Sequence, residues 1–254
     1  MHLPFWLTTA LLAPIVVYQG KRTRQRTLHL PEASGPTQGQ HGPGTPVFQL
    51  LVLGESTAAG VGVARHEQGL ASELARQLHR VTGQTIAWHT HGINGATLAR
   101  LSQRLEQVDL PPADAVLLSM GVNDTTGLTP RHRFRQQLLA LRQRLVARQP
   151  ALANTPLHLL SVPPMHRFTA LPSPLRQLLG WRARQLDAQY RHLAQQQPRD
   201  FAYLGYPAMT GPELLARDGY HPSEAGYQAI AGALVDQGWG AATIRARATT
   251  AAAK

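Results

Sequence analysis

The sequence contains no cysteine, which excludes a disulfide framework and any zinc site built on thiolates. Acidic side chains are scarce, with 14 Asp and Glu against 25 Lys and Arg and a formal charge of +11. Such an excess brings nucleic acid or an anionic membrane into view as partners. Aromatic residues are also few, at 6%, and they do not alternate with the basic ones. The arginines instead spread along helical faces such as residues 131–148, the pattern of a solvated basic surface, so no nucleic-acid partner is expected. Long apolar runs are limited to one. Residues 3–18 carry no charge, and as a helix rising ~1.5 Å per residue they would span roughly 24 Å. That is short against a hydrocarbon core of about 30 Å, and Pro14 weakens it further. The run lacks the basic leader and small-residue cleavage site of a secretory signal, so residues 1–20 read as a retained anchor giving membrane association through residues 3–18, the alternative being an apolar arm packed on the domain. The cluster Lys21-Arg22-Thr23-Arg24-Gln25-Arg26 follows directly, and by the positive-inside tendency it places the rest of the chain on the cytoplasmic side.

What remains suits one α/β domain, since 254 residues at 43% hydrophobic content can bury a substantial core. Residues 31–46 are rich in Pro, Gly and Gln and read, with the basic cluster, as a linker over residues 21–46. The domain is expected over residues 47–240, followed by a disordered tail at 241–254. Within it apolar runs and helical periodicities alternate. Residues 49–53, 85–90, 113–120, 157–162 and 201–204 read as strands. Helical spacing joins Leu70, Leu74, Leu78 and Val81, and later Phe134, Leu138, Leu141 and Leu145 behind the Thr129-Pro130 start signal. A long helix is expected over about 174–196, and a last one opening at Pro222 with Ile230 and Leu234 inward. Five strand–helix units imply a parallel sheet with helices on both faces. Every loop leaving a strand then emerges on one edge, where open α/β sheets place their ligands.

Four of those loops carry residues suited to chemistry. Gly54-Glu55-Ser56 ends the first strand, with Ala58, Ala59 and Gly60 leaving space beyond it. Gly92-Ile93-Asn94-Gly95 follows the second, Gly121-Val122-Asn123-Asp124 the third and Asp218-Gly219-Tyr220-His221 the fifth. A serine nucleophile needs a base and needs donors aimed at the oxyanion. His221 can take the proton of Ser56, and Asp218 lies near enough in sequence to hold the other ring nitrogen. The backbone N–H groups of Ser56 and Gly95 and the side-chain amide of Asn123 can form an oxyanion hole. Singly, each motif is equally well a turn, a helix cap or a surface loop; their joint placement on one sheet edge is what selects the catalytic reading. His89 and His91, on one face of a strand, suggest a metal, but no Asp or Glu completes a ligand set. No metal and no cofactor are expected.

These blocks, Gly54-Glu55-Ser56, Gly95, Gly121-Val122-Asn123-Asp124 and Asp218-Gly219-Tyr220-His221-Pro222, resemble the four ordered blocks of the SGNH hydrolases, also called the GDSL esterase/lipase superfamily. The resemblance covers residues 48–237. It implies a flavodoxin-like α/β/α sandwich with a five-stranded parallel sheet in the order 2-1-3-4-5, and metal-free ester hydrolysis through an acyl-enzyme. It also implies the roles given above to Ser56, Gly95, Asn123, Asp218 and His221. The first block departs from the family in having Glu55-Ser56-Thr57 for Asp-Ser-Leu, so the role of that acid is open. Residues 163–179 mix apolar and basic side chains and suggest either a mobile rim touching an acyl chain or, equally, a packed connection. With the anchor, they favour a small-molecule or lipid ester as substrate. An acyltransferase or a carbohydrate O-deacetylase would use the same machinery, and a non-catalytic tethered binding domain is the rival from another class.

Overall fold

Alternation along a single strand explains how the molecule is layered. In Phe48–Gly54 (β2), Leu50 and Val52 point into one apolar cluster and Leu51 and Leu53 into a second. All four are buried, so the strand must be covered on both faces. The computed structural model describes residues 3–209 and 211–252. In chain order its helices are Leu3–Arg26 (α1), Leu70–Thr82 (α2), Leu98–Leu105 (α3), Val122–Thr126 (α4), Arg131–Arg148 (α5), Leu175–Gln196 (α6), Glu224–Asp236 (α7) and Ala241–Ala252 (α8). The other strands are Gln38–His41 (β1), Ile86–Gly92 (β3), Ala115–Ser119 (β4), Leu157–Leu160 (β5) and Phe201–Leu204 (β6). The sheet runs β1-β3-β2-β4-β5-β6. From β3 to β6 all pairings are parallel, so these five strands have the order 2-1-3-4-5 expected of them. Core side chains of α3, α5 and α6 fill one face and those of α2, α7 and α8 the other.

Differences arise at the two ends of the chain. The stretch read as a linker supplies a sixth strand, β1, which pairs antiparallel with β3. Its glutamines face solvent and only His41 turns partly inward, to Ser72 Oγ at 2.9 Å, so composition gave no sign of it; the free edge of β3 supplies the pairing. Ala33 N–H also donates to Ala59 at 3.0 Å and Ser34 N–H to Ala64 at 3.0 Å, which lays residues 31–46 along the domain. At the other end, residues expected to be disordered form α8. Ile244 is fully buried beside α2 and Arg247 pairs with Asp114 at 2.6 Å. Pro222 precedes the last core helix without belonging to it: Ser223 is the N-cap, its Oγ accepting from Gly226 N–H at 3.1 Å.

The membrane-spanning reading of residues 3–18 is corrected. Among the described residues no helix is long and apolar enough to cross a membrane, because the apolar run of α1 gives way to a basic last third after about four turns. The helix lies against α6 instead. Phe5 is 1% exposed, meets Trp181 edge-on at 5.3 Å, and has the Arg182 guanidinium 5.6 Å above its ring. Burying such a side chain stabilises the contact by about 1.5–3 kcal/mol. The Gln19 amide adds a polar latch, donating to Ser173 O at 2.6 Å and accepting from Leu175 N–H at 3.1 Å.

Candidate active site

Parallel strands deliver their outgoing loops to one edge, and each candidate loop is then fixed by specific bonds. After β2 the chain turns tightly: Ala59 N–H donates to Glu55 O at 3.0 Å and Val61 N–H to Ser56 O at 3.0 Å. The Thr90 hydroxyl of β3 holds Ala58 O at 2.6 Å. Close approach is required here, since a Cβ on Gly92 would stand 2.0 Å from Ala59 N. On its far side the Ser56 loop is tied to α7, the helix that follows the histidine loop, where the buried Tyr227 hydroxyl donates to Val61 O at 2.8 Å.

Glu55 organises the loop after β4. Gly121 takes φ 124°, a conformation that a side chain would resist, and this turns Val122 and Asn123 towards the carboxylate. Glu55 Oε1 accepts from Val122 N–H at 2.8 Å, and Oε2 accepts from Asn123 N–H at 2.9 Å and from the Asn123 side-chain amide. The acid is 3% exposed. Burial pushes its pKa up to about 7, against the pull of those three donors. The next residue, Asp124, is fully buried and accepts Leu98 N–H at 2.8 Å, which joins the start of α3, just past Gly95, to the Asn123 loop. Burial raises the Asp124 pKa.

The last loop holds an acid–imidazole pair. Asp218 Oδ2 lies 2.5 Å from His221 Nδ1, while Oδ1 accepts from the backbone N–H groups of Tyr220 at 3.0 Å and His221 at 3.1 Å. Its side chain is 1% exposed. Burial alone would raise the Asp218 pKa, but the hydrogen bonds from His221 and from the two N–H groups outweigh it and hold the carboxyl below the usual range. The geometry leaves Nε2 as the ring atom available for chemistry.

Ser56, Asn123 and His221 line one cavity of about 670 Å³. Asp218 stands behind His221. Gly95 does not line the cavity; its neighbour Asn94 does. The backbone N–H groups of Ser56 and Gly95 donate to no other protein group among the described residues. No hydrogen bond joins Ser56 Oγ to the His221 ring, and such contacts are often long before substrate arrives. From the stretch 163–179, Pro163, Met165, Phe168, Leu171, Leu175 and Leu179 line the apolar part of the cavity, and Met165, Leu171 and Leu179 are also packed into the core.

Three contributors were not foreseen from the sequence. Glu32, inside the stretch read as a linker, accepts Asn94 N–H at 2.7 Å and so positions the Gly95 loop; its Pro/Gly-rich surroundings carry no signal of this. Asp124 could have been suspected from its place in the Gly-Val-Asn-Asp block. The third is α1, whose Val16, Val17 and Gly20 form a wall of the cavity. Uniform apolarity made that helix look like an anchor, and only docking on α6 reveals the inward face.

The doubly wound sheet brings a serine, an asparagine and an Asp–His pair to its carboxyl edge. The chain belongs to the GDSL-like lipase/acylhydrolase family, whose model matches residues 52–229. It is 31% identical over 185 residues to a GDSL-like esterase of Mycobacterium tuberculosis, a match covering 70% of this chain and 57% of that one. The chain thus spans little more than half of that relative. Among solved structures it is similar to the psychrotrophic esterase EstA of a Pseudoalteromonas species, with TM-score 0.51 and 20% identity over 75% of this chain and 97% of the other. It is also similar to the salicylyl-acyltransferase SsfX3 of a tetracycline biosynthetic pathway, with TM-score 0.52 and 20% identity over 76% and 56% of the two chains. At these identities the structures speak for the fold, and membership of the family supports hydrolase or acyltransferase activity on esters.

Proposed function

We propose that the protein is a serine ester hydrolase that cleaves acyl esters through a covalent acyl-enzyme. The observation that carries this reading is the ordered Asp218–His221 pair opening into the same cavity as Ser56 and Asn123. His221 Nε2 takes the proton from Ser56 Oγ as the oxygen attacks the ester carbonyl, and Asp218 stabilises the resulting imidazolium. The carbonyl oxygen gains negative charge and is received by the Ser56 N–H and the Asn123 amide, which line the cavity, with the Gly95 N–H, one residue beyond the lining Asn94, assigned as the third donor. As the C–O bond breaks, His221 returns the proton to the leaving alcohol. Water, deprotonated by the same ring, then releases the acid. An acceptor alcohol in place of water would give the acyltransferase outcome.

The apolar lining favours an acyl chain, and a lipid-like ester is the substrate class we infer. The form of membrane association that α1 supports is contact with an anionic surface, since Leu7, Leu11 and Tyr18 on its outer side are 60–82% exposed and a basic turn follows them. Sedimentation with vesicles of anionic and of zwitterionic lipid tests it, and equal partition into the supernatant in both cases would refute it. Placement on the cytoplasmic side is proposed from the same basic turn. The central reading is tested with 4-nitrophenyl esters of increasing chain length and a fluorophosphonate probe. Turnover and labelling should both vanish in Ser56→Ala, and labelling elsewhere with activity intact would overturn the assignment.

A further inference from the structure

We propose that this chain selects esters joining an apolar acyl chain to an anionic group, and that α1 supplies part of both halves of that selection. The inference rests on the hydrolase reading above and adds the chemical class of the substrate. Residues 16, 17, 20, 21 and 24 of α1 all line the catalytic cavity, and their spacing places them on one helical face. Along that face the chemistry changes. Val16 and Val17 are apolar and Gly20 leaves open space, with no atom within 4 Å of a Cβ built upon it. Lys21 and Arg24 follow at the exposed mouth.

Arg167, from the rim opposite, lines the same cavity and is exposed. Among the described residues none of these three cations is in an ion pair, although seven other arginines are. Among the described residues no Asp or Glu lines the cavity, and Asp218 already holds His221. A mouth with cations and no opposing carboxylate concentrates anions, while the interior behind it takes hydrocarbon. A neutral ester would use only the second feature. A substrate that uses both carries a phosphate or carboxylate on the alcohol side, outside the cavity, with its acyl chain inside.

The test uses the full chain and two matched pairs of substrates below their micellar concentrations. One pair is 1-decanoylglycerol 3-phosphate against 1-decanoylglycerol; the other is 4-(decanoyloxy)benzoate against its methyl ester. An exposed charge pair is worth a factor of roughly 2 to 5, so two or three cations should favour the anionic member by about tenfold in kcat/KM, chiefly through KM. That ratio should fall towards one in Lys21→Ala/Arg24→Ala and at high salt, and should invert in Lys21→Glu/Arg24→Glu. Preference in the phosphate pair alone identifies a phosphoester, and preference in both pairs a general anion site; either supports the inference. If wild type turns over all four esters with no anionic preference, the inference is overturned and the hydrolase reading stands. If it turns over none and Ser56 takes no fluorophosphonate, both fail together.

Discussion

Replacing Asn123 by alanine separates a part in the chemistry from a part in the architecture. The Asn123 side-chain amide has two hydrogens. One is held by Glu55 Oε2, which leaves the other for the cavity that Asn123 lines. If that hydrogen meets the oxyanion, losing it should lower kcat by about 10²–10³, or about 2.7–4 kcal/mol of transition-state stabilisation. The ground-state ester needs no such donor, so KM should change little. The same substitution removes one bond from a buried carboxylate, worth about 1.5–3 kcal/mol of stability. Backbone donors remain, because Glu55 keeps Val122 N–H at 2.8 Å and Asn123 N–H at 2.9 Å. The loop should therefore hold its shape, with Tm lower by roughly 2–4 °C per kcal/mol lost. Steady-state kinetics on a 4-nitrophenyl ester, with thermal unfolding alongside, read both quantities. A variant with kcat within about threefold of wild type, or one whose loss lies in KM, would refute the oxyanion assignment and leave Asn123 a purely structural ligand of Glu55.

Glu55→Gln mimics the protonated acid. With the folded pKa raised from 4.5 to about 7, proton uptake favours the fold; that stability is fully present below about 4.5 and is lost as pH rises through about 7, in total about 3 kcal/mol. Urea unfolding across this range should show the loss in wild type and not in the variant, and parallel curves would contradict the role given to Glu55. Asp218→Asn should cut kcat by roughly 10⁴, as expected when the acid that fixes the ring tautomer is removed. Because hydrogen bonds hold the Asp218 carboxyl below the ordinary carboxylate range, its hold on the ring should persist in mildly acidic solution; disappearance of the Asp218→Asn effect on kcat there would refute it. Gly20→Leu fills open space in the cavity and should shorten the preferred acyl chain in a 4-nitrophenyl ester series without loss of Tm, since leucine favours a helix by about 1 kcal/mol over glycine; an unchanged chain-length optimum would remove α1 from the acyl wall. Gly92→Ala would force a Cβ to 2.0 Å from Ala59 N and should cost about 1–3 kcal/mol or more of stability by overpacking, measured by urea unfolding, with neutrality refuting the close approach of β3 to the Ser56 loop.

The sequence by itself determined the parallel core and the chemical set at its edge. Continuous apolar runs such as β4, alternating with helical periodicities, left little choice but a sheet covered on both faces, and strand polarity then sent Ser56, Asn123 and His221 to one side. Asp218 was legible for a local reason, since a separation of three residues suffices to bring its carboxylate to the ring. What tertiary structure alone decided were contacts between segments whose own composition says nothing of their partner. Glu32 reaches Asn94 across 62 positions from a stretch with no apolar signal, and β1 exists because β3 had an unpaired edge. The role of Glu55 depended on the turn that Gly121 makes, 66 positions further along. The helix α1 is the clearest case. Its sequence records how apolar it is but not which neighbour buries Phe5, and that single docking event turns a run resembling an anchor into a wall of the catalytic cavity.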